Sequence, residues 1–202
     1  MCDAPVRHRA RRVNAAAAVV GVWALNFFSS PVGATEYSED AVKAAYLYRF
    51  AGYIGWPAGA AAEGPFTIDV LGSPGIAREL RRLLPGHLIN GQPAQVREIT
   101  GSRDLGNPRI LYIAPAHADL LRTTLLPQSS NASMLLVTDE EDGLAAGSAI
   151  NFLTIDRNVR FEVSLSAADR WGLKISSELL SVAIRVQGRS ADPGAERSRY
   201  SP

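Results

Sequence analysis

Three short and almost continuously apolar runs constrain the fold of this chain more than any other feature. They are PFTIDVLG (65–72), RILYIAP (109–115) and SMLLVTD (133–139), and turn- or helix-forming segments separate them. Strands that are apolar on both sides are typical of a parallel sheet, because crossover helices cover both of its faces. The pattern predicts an α/β fold, a single three-layer domain with a mixed, largely parallel sheet flanked by helices.

The first helix is predicted to begin after Ser38, whose side chain can accept a hydrogen bond from the first turn, and to end at Gly55 and Pro57. Its apolar residues recur at helical spacing, and we expect that face to pack on the core. The predicted core face consists of Val42, Ala45, Tyr46, Phe50 and Tyr53.

Local signals place three further elements in the middle of the chain. Ser73 and Pro74 predict the start of a second helix, which the Pro85–Gly86 pair ends. The Asn90–Gly91 dipeptide predicts a tight turn before a strand at 92–100. The segment 116–127 predicts a third helix.

A hairpin of strands 148–155 and 159–165 is predicted next, and one long helix from about 167 to 186 closes the domain. Ser166 is the predicted cap of that helix. Side chains alternate along a strand, so Glu162 is expected on the face opposite the core residue Phe161. On an exposed face it would form at most a surface salt bridge, with Arg160 or Lys174.

The first 34 residues have the layout of a secretory signal peptide. A basic segment (7–12) precedes a 16-residue apolar run (13–28), and small residues follow at 32–34. The alternative is an uncleaved membrane anchor, but the run is shorter than the roughly 20 apolar residues that span a bilayer. We therefore expect a signal peptide at 1–34, an α/β domain at 35–187, a disordered tail at 188–202, and a periplasmic location.

Charge and cysteine content exclude several classes of function. The predicted leader holds four of the 21 Lys and Arg and one of the 20 Asp and Glu, so 17 basic and 19 acidic residues remain. That balance gives no electrostatic surface for nucleic acid. The only cysteine is Cys2, within the leader, so the mature chain has no disulfide and no thiol nucleophile.

No catalytic motif is recognisable in the remaining sequence. His87 and His117 lack a nearby acid or a second histidine at metal spacing, and the turn at 72–77 lacks the three-glycine spacing of a phosphate loop. The acidic segment 139–142 is compatible with a phosphoacceptor pocket or a calcium loop, but a solvated hairpin turn with Gly143 is favoured. We predict no enzymatic activity, no cofactor and no metal site.

Five blocks in a fixed order resemble the YfiR family. They begin at 42, 66, 110, 135 and 150, and the resemblance extends from Val42 to about Val186. It implies a periplasmic, non-enzymatic protein that binds the periplasmic domain of an inner-membrane diguanylate cyclase and represses it, which would lower cyclic-di-GMP output and affect biofilm formation. Relatives often carry a cysteine where this chain has Pro108, so thiol-based redox sensing is not expected here.

The partner- or ligand-reading surface is predicted on the final hairpin and the start of the terminal helix. Glu162 is the principal candidate, because a charged strand residue opposite the core has little role in packing. The complete set is Phe152, Arg160, Glu162, Arg170, Lys174, Ser176 and Gln187. A second hypothesis is a periplasmic sensor module for a small ligand such as a nucleotide or amino acid. The oligomeric state, a homodimer included, stays open.

The leader generates the first testable prediction. Because the small residues at 32–34 follow the apolar run, we expect the exported protein to begin at Thr35. N-terminal sequencing of the periplasmic fraction measures this directly. An intact Met1, or a product that stays with the membrane, would contradict it.

Overall fold

The elements of the fold alternate along the chain much as the apolar runs predict. The computed structural model describes residues 37–57, 64–120 and 133–188, so the predicted leader and nearly all of the predicted tail lie outside the described residues. The helices are α1 (Glu39–Tyr53), α2 (Pro74–Leu83), α3 (Ala118–Leu120), α4 (Leu165–Arg170) and α5 (Ser177–Val182). The strands are β1 (Ile54–Gly55), β2 (Phe66–Leu71), β3 (Leu88–Ile89), β4 (Gln92–Ile99), β5 (Ile110–Ile113), β6 (Leu135–Thr138), β7 (Ile150–Ile155), β8 (Asn158–Ser164), β9 (Lys174–Ile175) and β10 (Arg185–Gln187).

Eight of these strands form one sheet in the order β10-β8-β7-β6-β5-β2-β4-β3. The central strands from β4 to β7 pair in parallel, and β8 returns antiparallel to β7. The last strand, β10, pairs in parallel with β8 and lies at one edge of the sheet. The predicted mixed and largely parallel α/β sheet is therefore confirmed, and β1 with β9 forms a separate antiparallel pair.

The capping signals of α1 and α2 and the turn signal before β4 are confirmed. Ser38 Oγ accepts a hydrogen bond from Ala41 N at 3.2 Å, and Ser73 Oγ accepts one from Ile76 N at 3.4 Å. The β3–β4 turn has positive φ at both Asn90 (51°) and Gly91 (79°), as a two-residue hairpin requires. These signals act over three or four residues, which is why they can be read from sequence.

The predicted core face of α1 is only partly correct. The buried residues of this helix are Lys43, Ala44, Leu47, Phe50 and Ala51. Tyr53 is 37% exposed, and the predicted positions 42, 45 and 46 are only partly buried. The apolar residues of α1 extend beyond the face that the neighbouring elements cover. Periodicity alone therefore predicted a face that only partly overlaps the buried one.

The predicted long C-terminal helix is wrong. Gly172 adopts φ +67° after α4, and the chain then forms β9, the short helix α5 and the edge strand β10. The cap of α4 is Ser164, which accepts a hydrogen bond from Ala167 N at 3.2 Å, and not Ser166. Of the predicted third helix only the start is described, as a 3₁₀ turn at Pro115–His117 followed by α3.

A buried lysine attaches α1 to the carboxyl end of β6. Lys43 donates to Glu39 and to Asp139, and Asp139 also accepts from Tyr112 Oη at 3.1 Å. Burial alone lowers the pKa of Lys43, but the hydrogen bonds to Asp139 and Glu39 outweigh it, and the net effect is a raised pKa. The hydrogen bond from Lys43 lowers the pKa of Glu39. Both groups are thus held in their charged forms.

Lys43→Met tests this attachment. We expect a loss of about 3 kcal/mol in the free energy of unfolding, because Asp139 would lose its cation in a largely buried site. Urea denaturation measures the loss, and Lys174→Met is the matched control because Lys174 is the other lysine of the chain and is exposed.

The pH dependence has a defined sign. Because folding raises the pKa of Lys43, this residue contributes stability that is complete below its unfolded-state pKa near 10.5. The contribution is lost as pH rises through the higher pKa of the folded state. Wild type should therefore lose its advantage over Lys43→Met in strongly alkaline solution. Equal stability of the two proteins at pH 8 would contradict this role of Lys43.

Candidate functional site

Glu162 is buried in β8 and does not lie on an exposed face. Only 1% of it is accessible, and its carboxylate has partners on two sides. Asn151 Nδ2 donates to Oε1 at 3.0 Å, and Arg185 Nε donates to Oε2 at 2.6 Å. The predicted exposed position of Glu162 is therefore wrong, and so is the alternative interpretation of a surface salt bridge with Arg160 or Lys174. A desolvated carboxylate needs such partners, because an unpaired buried charge costs several kcal/mol.

Hydrogen bonds continue from Glu162 into the centre of the sheet. Asn151 Oδ1 accepts from Thr138 Oγ1 at 2.8 Å, and the Ser148 hydroxyl lies 2.8 Å from the same Thr138 oxygen. Asn151 also exchanges two hydrogen bonds with the backbone of Glu140, through Glu140 N at 3.1 Å and Glu140 O at 2.8 Å. One amide side chain thus connects β6, β7 and β8 with the segment that follows β6.

The acidic segment 139–142 is not the solvated hairpin turn that the sequence favoured. It joins β6 to the parallel strand β7, and only Glu141 and Asp142 are exposed. Gly143 is buried, and a Cβ atom there would lie 2.2 Å from Asn151 Oδ1 and 2.3 Å from Thr138 Oγ1. Glycine is therefore needed at 143 for close packing against the hydrogen-bonded side chains.

These elements form the walls of a surface groove with a volume of about 420 Å³, here called the C-terminal groove. It is lined by Glu141, Asp142, Leu144, Ala145, Glu162, Arg185, Val186 and Gln187. One wall is the segment between β6 and β7, which contributes the exposed carboxylates of Glu141 and Asp142. The other wall is β10, which contributes the Arg185 side chain, 65% exposed. The groove offers acidic and amide groups to a partner, with the buried Glu162 holding Arg185 in position.

Beside the groove lies a sheet edge that no other strand of the described residues pairs with. Ile184 N donates to Phe161 O of β8 at 3.0 Å. Because the backbone groups of successive strand residues point alternately to the two sides of the strand, those of Arg185 and Gln187 point away from β8. Large apolar side chains are exposed here: Val182 is 63% exposed, Ile184 47% and Val186 40%. An open edge with apolar side chains is a surface on which another chain can pair.

Two of the seven predicted site residues, Glu162 and Gln187, line this groove. Phe152 is 1% exposed and packs in the aromatic core with Phe50 and Tyr46, so it is not a surface residue. Its predicted place on a surface is therefore wrong.

The other four predicted residues are dispersed. Arg160 is exposed on β8, while Arg170 donates to Gly147 O at 3.4 Å. Lys174 is exposed on β9, and Ser176 caps α5 by accepting from Leu179 N at 3.3 Å. The structure brings these side chains neither to one another nor into the C-terminal groove.

The sequence reasoning missed Arg185 and Asn151. A signal for the first was present, because apolar and polar residues alternate from Ile184 to Gln187 at the period of a strand. The assumption of a continuous helix concealed it. Asn151 had no comparable signal, because its importance arises from contacts with residues 11 or more positions away.

The crevice where α/β sheets commonly bind ligands is occupied by this chain's own side chains. That crevice lies at the carboxyl ends of β2 and β5, where the strand order reverses. A Cβ atom at Gly72 would lie 2.4 Å from His117 Cδ2, and one at Gly75 would meet the Asp40 carboxylate. The turn at 72–77 therefore faces a carboxylate of its own chain at the start of α2.

No group of three or more His, Cys, Asp or Glu side chains within 37–57, 64–120 and 133–188 is placed to hold a metal ion. No helix in the same part of the chain is long and apolar enough to cross a membrane.

Comparison with known proteins identifies one matching family. A family model described as YfiR/HmsC-like matches residues 40–184. No curated protein matches the chain. Among solved structures, a conserved domain protein from Vibrio cholerae O1 biovar El Tor is 11% identical with a TM-score of 0.50. The match covers 74% of this chain and 60% of that one, and it supports the fold alone.

Glu162→Ala tests the buried network. We expect a loss of about 2 kcal/mol in the free energy of unfolding, because the Asn151 amide would lose its acceptor in a buried site while Arg185 can still reach water. Thermal or urea denaturation measures it. Arg160→Ala, at an exposed position of the same strand, should stay within about 0.5 kcal/mol of wild type. A fully stable Glu162→Ala protein would show that the network contributes little.

Proposed function

The chain belongs to the YfiR/HmsC-like family, and from this membership we propose that it is a periplasmic protein that represses an inner-membrane diguanylate cyclase. The observation that carries the proposal is the family match over 40–184, which includes almost every described residue. Members of the family are regulatory rather than catalytic. Repression of the cyclase would lower cyclic-di-GMP signalling and hence biofilm formation.

The docking surface in this proposal is the C-terminal groove together with the open edge of β10. The backbone groups of Arg185 and Gln187 on this edge pair with no strand in the part of the chain that the structure describes, and they can continue the sheet with an extended segment of the partner. The exposed side chains of Ile184 and Val186 supply apolar area beside that edge. This combination is typical of protein recognition, where an apolar centre is surrounded by polar groups.

Charge on the groove wall indicates the chemistry of the partner segment. Glu141 and Asp142 are exposed, and neither forms an ion pair within the described residues. Arg185 on the other wall is already paired with Glu162. A lysine or arginine on the cyclase segment would complement the free carboxylates and would also increase the rate of association.

Repression requires only binding. A protein that binds the inactive arrangement of the cyclase more tightly than the active one shifts the population towards the inactive state. A hundredfold preference corresponds to about 2.7 kcal/mol, which one interface of ordinary size can supply. No chemical step on this chain enters the proposal.

Gene deletion tests the function. Loss of the protein should raise cellular cyclic-di-GMP, and expression of wild type in trans should restore the original level. Cross-linking in cells, followed by purification from the membrane and mass spectrometry, should recover a diguanylate cyclase. An unchanged cyclic-di-GMP level, with no cyclase recovered, would overturn the proposal.

The double substitution Glu141→Lys, Asp142→Lys tests the surface. We expect at least tenfold weaker capture of the cyclase's periplasmic domain, because the reversed charges would face the partner's basic group. Both side chains are exposed, so the thermal midpoint should stay within a few degrees of wild type. Affinity can be measured by biolayer interferometry.

Glu98→Lys is the control for the charge change. Glu98 lies on β4, near the opposite end of the sheet from β10, and pairs with Arg81 of α2. It should bind the cyclase as wild type does. The double substitution changes the net charge by +4 and Glu98→Lys changes it by +2. If Glu98→Lys loses half or more of the binding free energy that the double substitution loses, the effect is one of net charge, and this groove is the wrong surface.

A further inference from the structure

The outer face of α1 borders a cavity that the proposed docking surface does not use. The cavity has a volume of about 540 Å³ and lies between α1 and α2. It is lined by Tyr37, Ala41, Val42, Ala44, Ala45, Tyr46, Arg49, Glu79, Arg82 and Leu83, here called the α1–α2 cavity. It shares no lining residue with the C-terminal groove.

Small side chains keep the α1–α2 cavity open. Three alanines of α1, at 41, 44 and 45, line it where larger residues would fill the space between the two helices. Tyr46 and Leu83 are among its larger apolar side chains, and both are only partly buried. A volume between roughly 300 and 1,000 Å³ with mainly apolar walls is typical of small-molecule sites.

One cation at the cavity, Arg49, has no ion-pair partner among residues 37–57, 64–120 and 133–188. Arg49 is exposed. Its helical neighbours three and four positions away are Ala45, Tyr46, Gly52 and Tyr53, none of which is acidic.

The other charges of the cavity largely compensate one another. Glu79 Oε1 lies 3.3 Å from Arg82 Nη1 and 3.9 Å from Arg78 Nε, so the carboxylate already has cationic partners. Together, Arg49, Arg82 and Glu79 give the lining one excess positive charge. A ligand that complements it has an apolar body and one anionic group.

We propose that the α1–α2 cavity binds a small amphipathic carboxylate, with its apolar body against Tyr46 and Leu83 and its carboxylate on Arg49. The planar guanidinium can hold a carboxylate through two parallel hydrogen bonds, which a neutral head group cannot match. The alkyl or aryl body gains affinity by leaving water for the apolar walls. The site is independent of the proposed cyclase interaction.

Isothermal titration calorimetry with decanoate, kept below its micellar concentration, tests the site. Wild type should bind one decanoate per chain and should bind decanol, which lacks the charge, at least tenfold more weakly. Arg49→Gln should weaken decanoate at least tenfold, while Arg49→Lys should keep part of the affinity. Arg103→Gln, at an exposed arginine outside the cavity, is the matched control and should bind as wild type.

Ala45→Trp tests the cavity by filling it. The indole should occupy the space and abolish decanoate binding, while circular dichroism reports whether the protein remains folded. If this variant unfolds, Arg49→Gln still decides the result, because Arg49 is exposed and forms no ion pair with any described residue. Neither substitution lies in the C-terminal groove, so capture of the cyclase should be unchanged in both.

Several results would overturn the proposal. These are absence of decanoate binding to wild type, equal binding of decanol, equal loss in Arg49→Gln and Arg103→Gln, or unaltered binding in folded Ala45→Trp. Vesicles containing phosphatidylglycerol distinguish a free acid from a lipid surface. Retention on vesicles that decanoate does not displace would assign Arg49 to a membrane contact and overturn the cavity site.

Discussion

The burial of one carboxylate, that of Glu162, imposes the arrangement of the C-terminal third of the domain. An ionised carboxylate enclosed in a sheet requires hydrogen bonds and a cation, because its desolvation costs several kcal/mol. Asn151 supplies the hydrogen bond from β7, and Arg185 supplies the cation from β10. The edge strand therefore lies where Arg185 reaches Glu162, and the C-terminal groove opens beside that pair.

A second buried charge, Lys43, holds the segment that joins β6 to β7. Lys43 ties α1 to Asp139, the residue that follows β6, and the next residue, Glu140, is held by Asn151. Two consecutive residues thus link the helix that borders the α1–α2 cavity to the strands that form the C-terminal groove. Each tie is a polar contact in a partly buried site, where hydrogen bonds are electrostatically stronger than in water.

The conventional ligand crevice of this topology is closed, and that shapes what the domain can do. His117 packs on Gly72, and Asp40 packs on Gly75, where a phosphate would otherwise approach the start of α2. Binding can then take place on surfaces outside this crevice, such as the C-terminal groove and the α1–α2 cavity. A regulator that works by binding can use such surfaces, because it needs complementary area rather than an enclosed reaction site.

The amino-acid sequence by itself determined the α/β class, the parallel strands, the caps of α1 and α2, and the β3–β4 and β7–β8 turns. All of these depend on periodicity or on contacts within a few residues. The sequence did not determine which face of α1 is buried, that Glu162 is enclosed, or that the chain after Gly172 ends in a strand. Those outcomes depend on partners far along the chain, such as Asp139, which lies 96 positions from Lys43, and Arg185, which lies 23 positions from Glu162. Only the tertiary structure decides them, because neither a side chain nor its neighbours in sequence indicate which distant element will cover it.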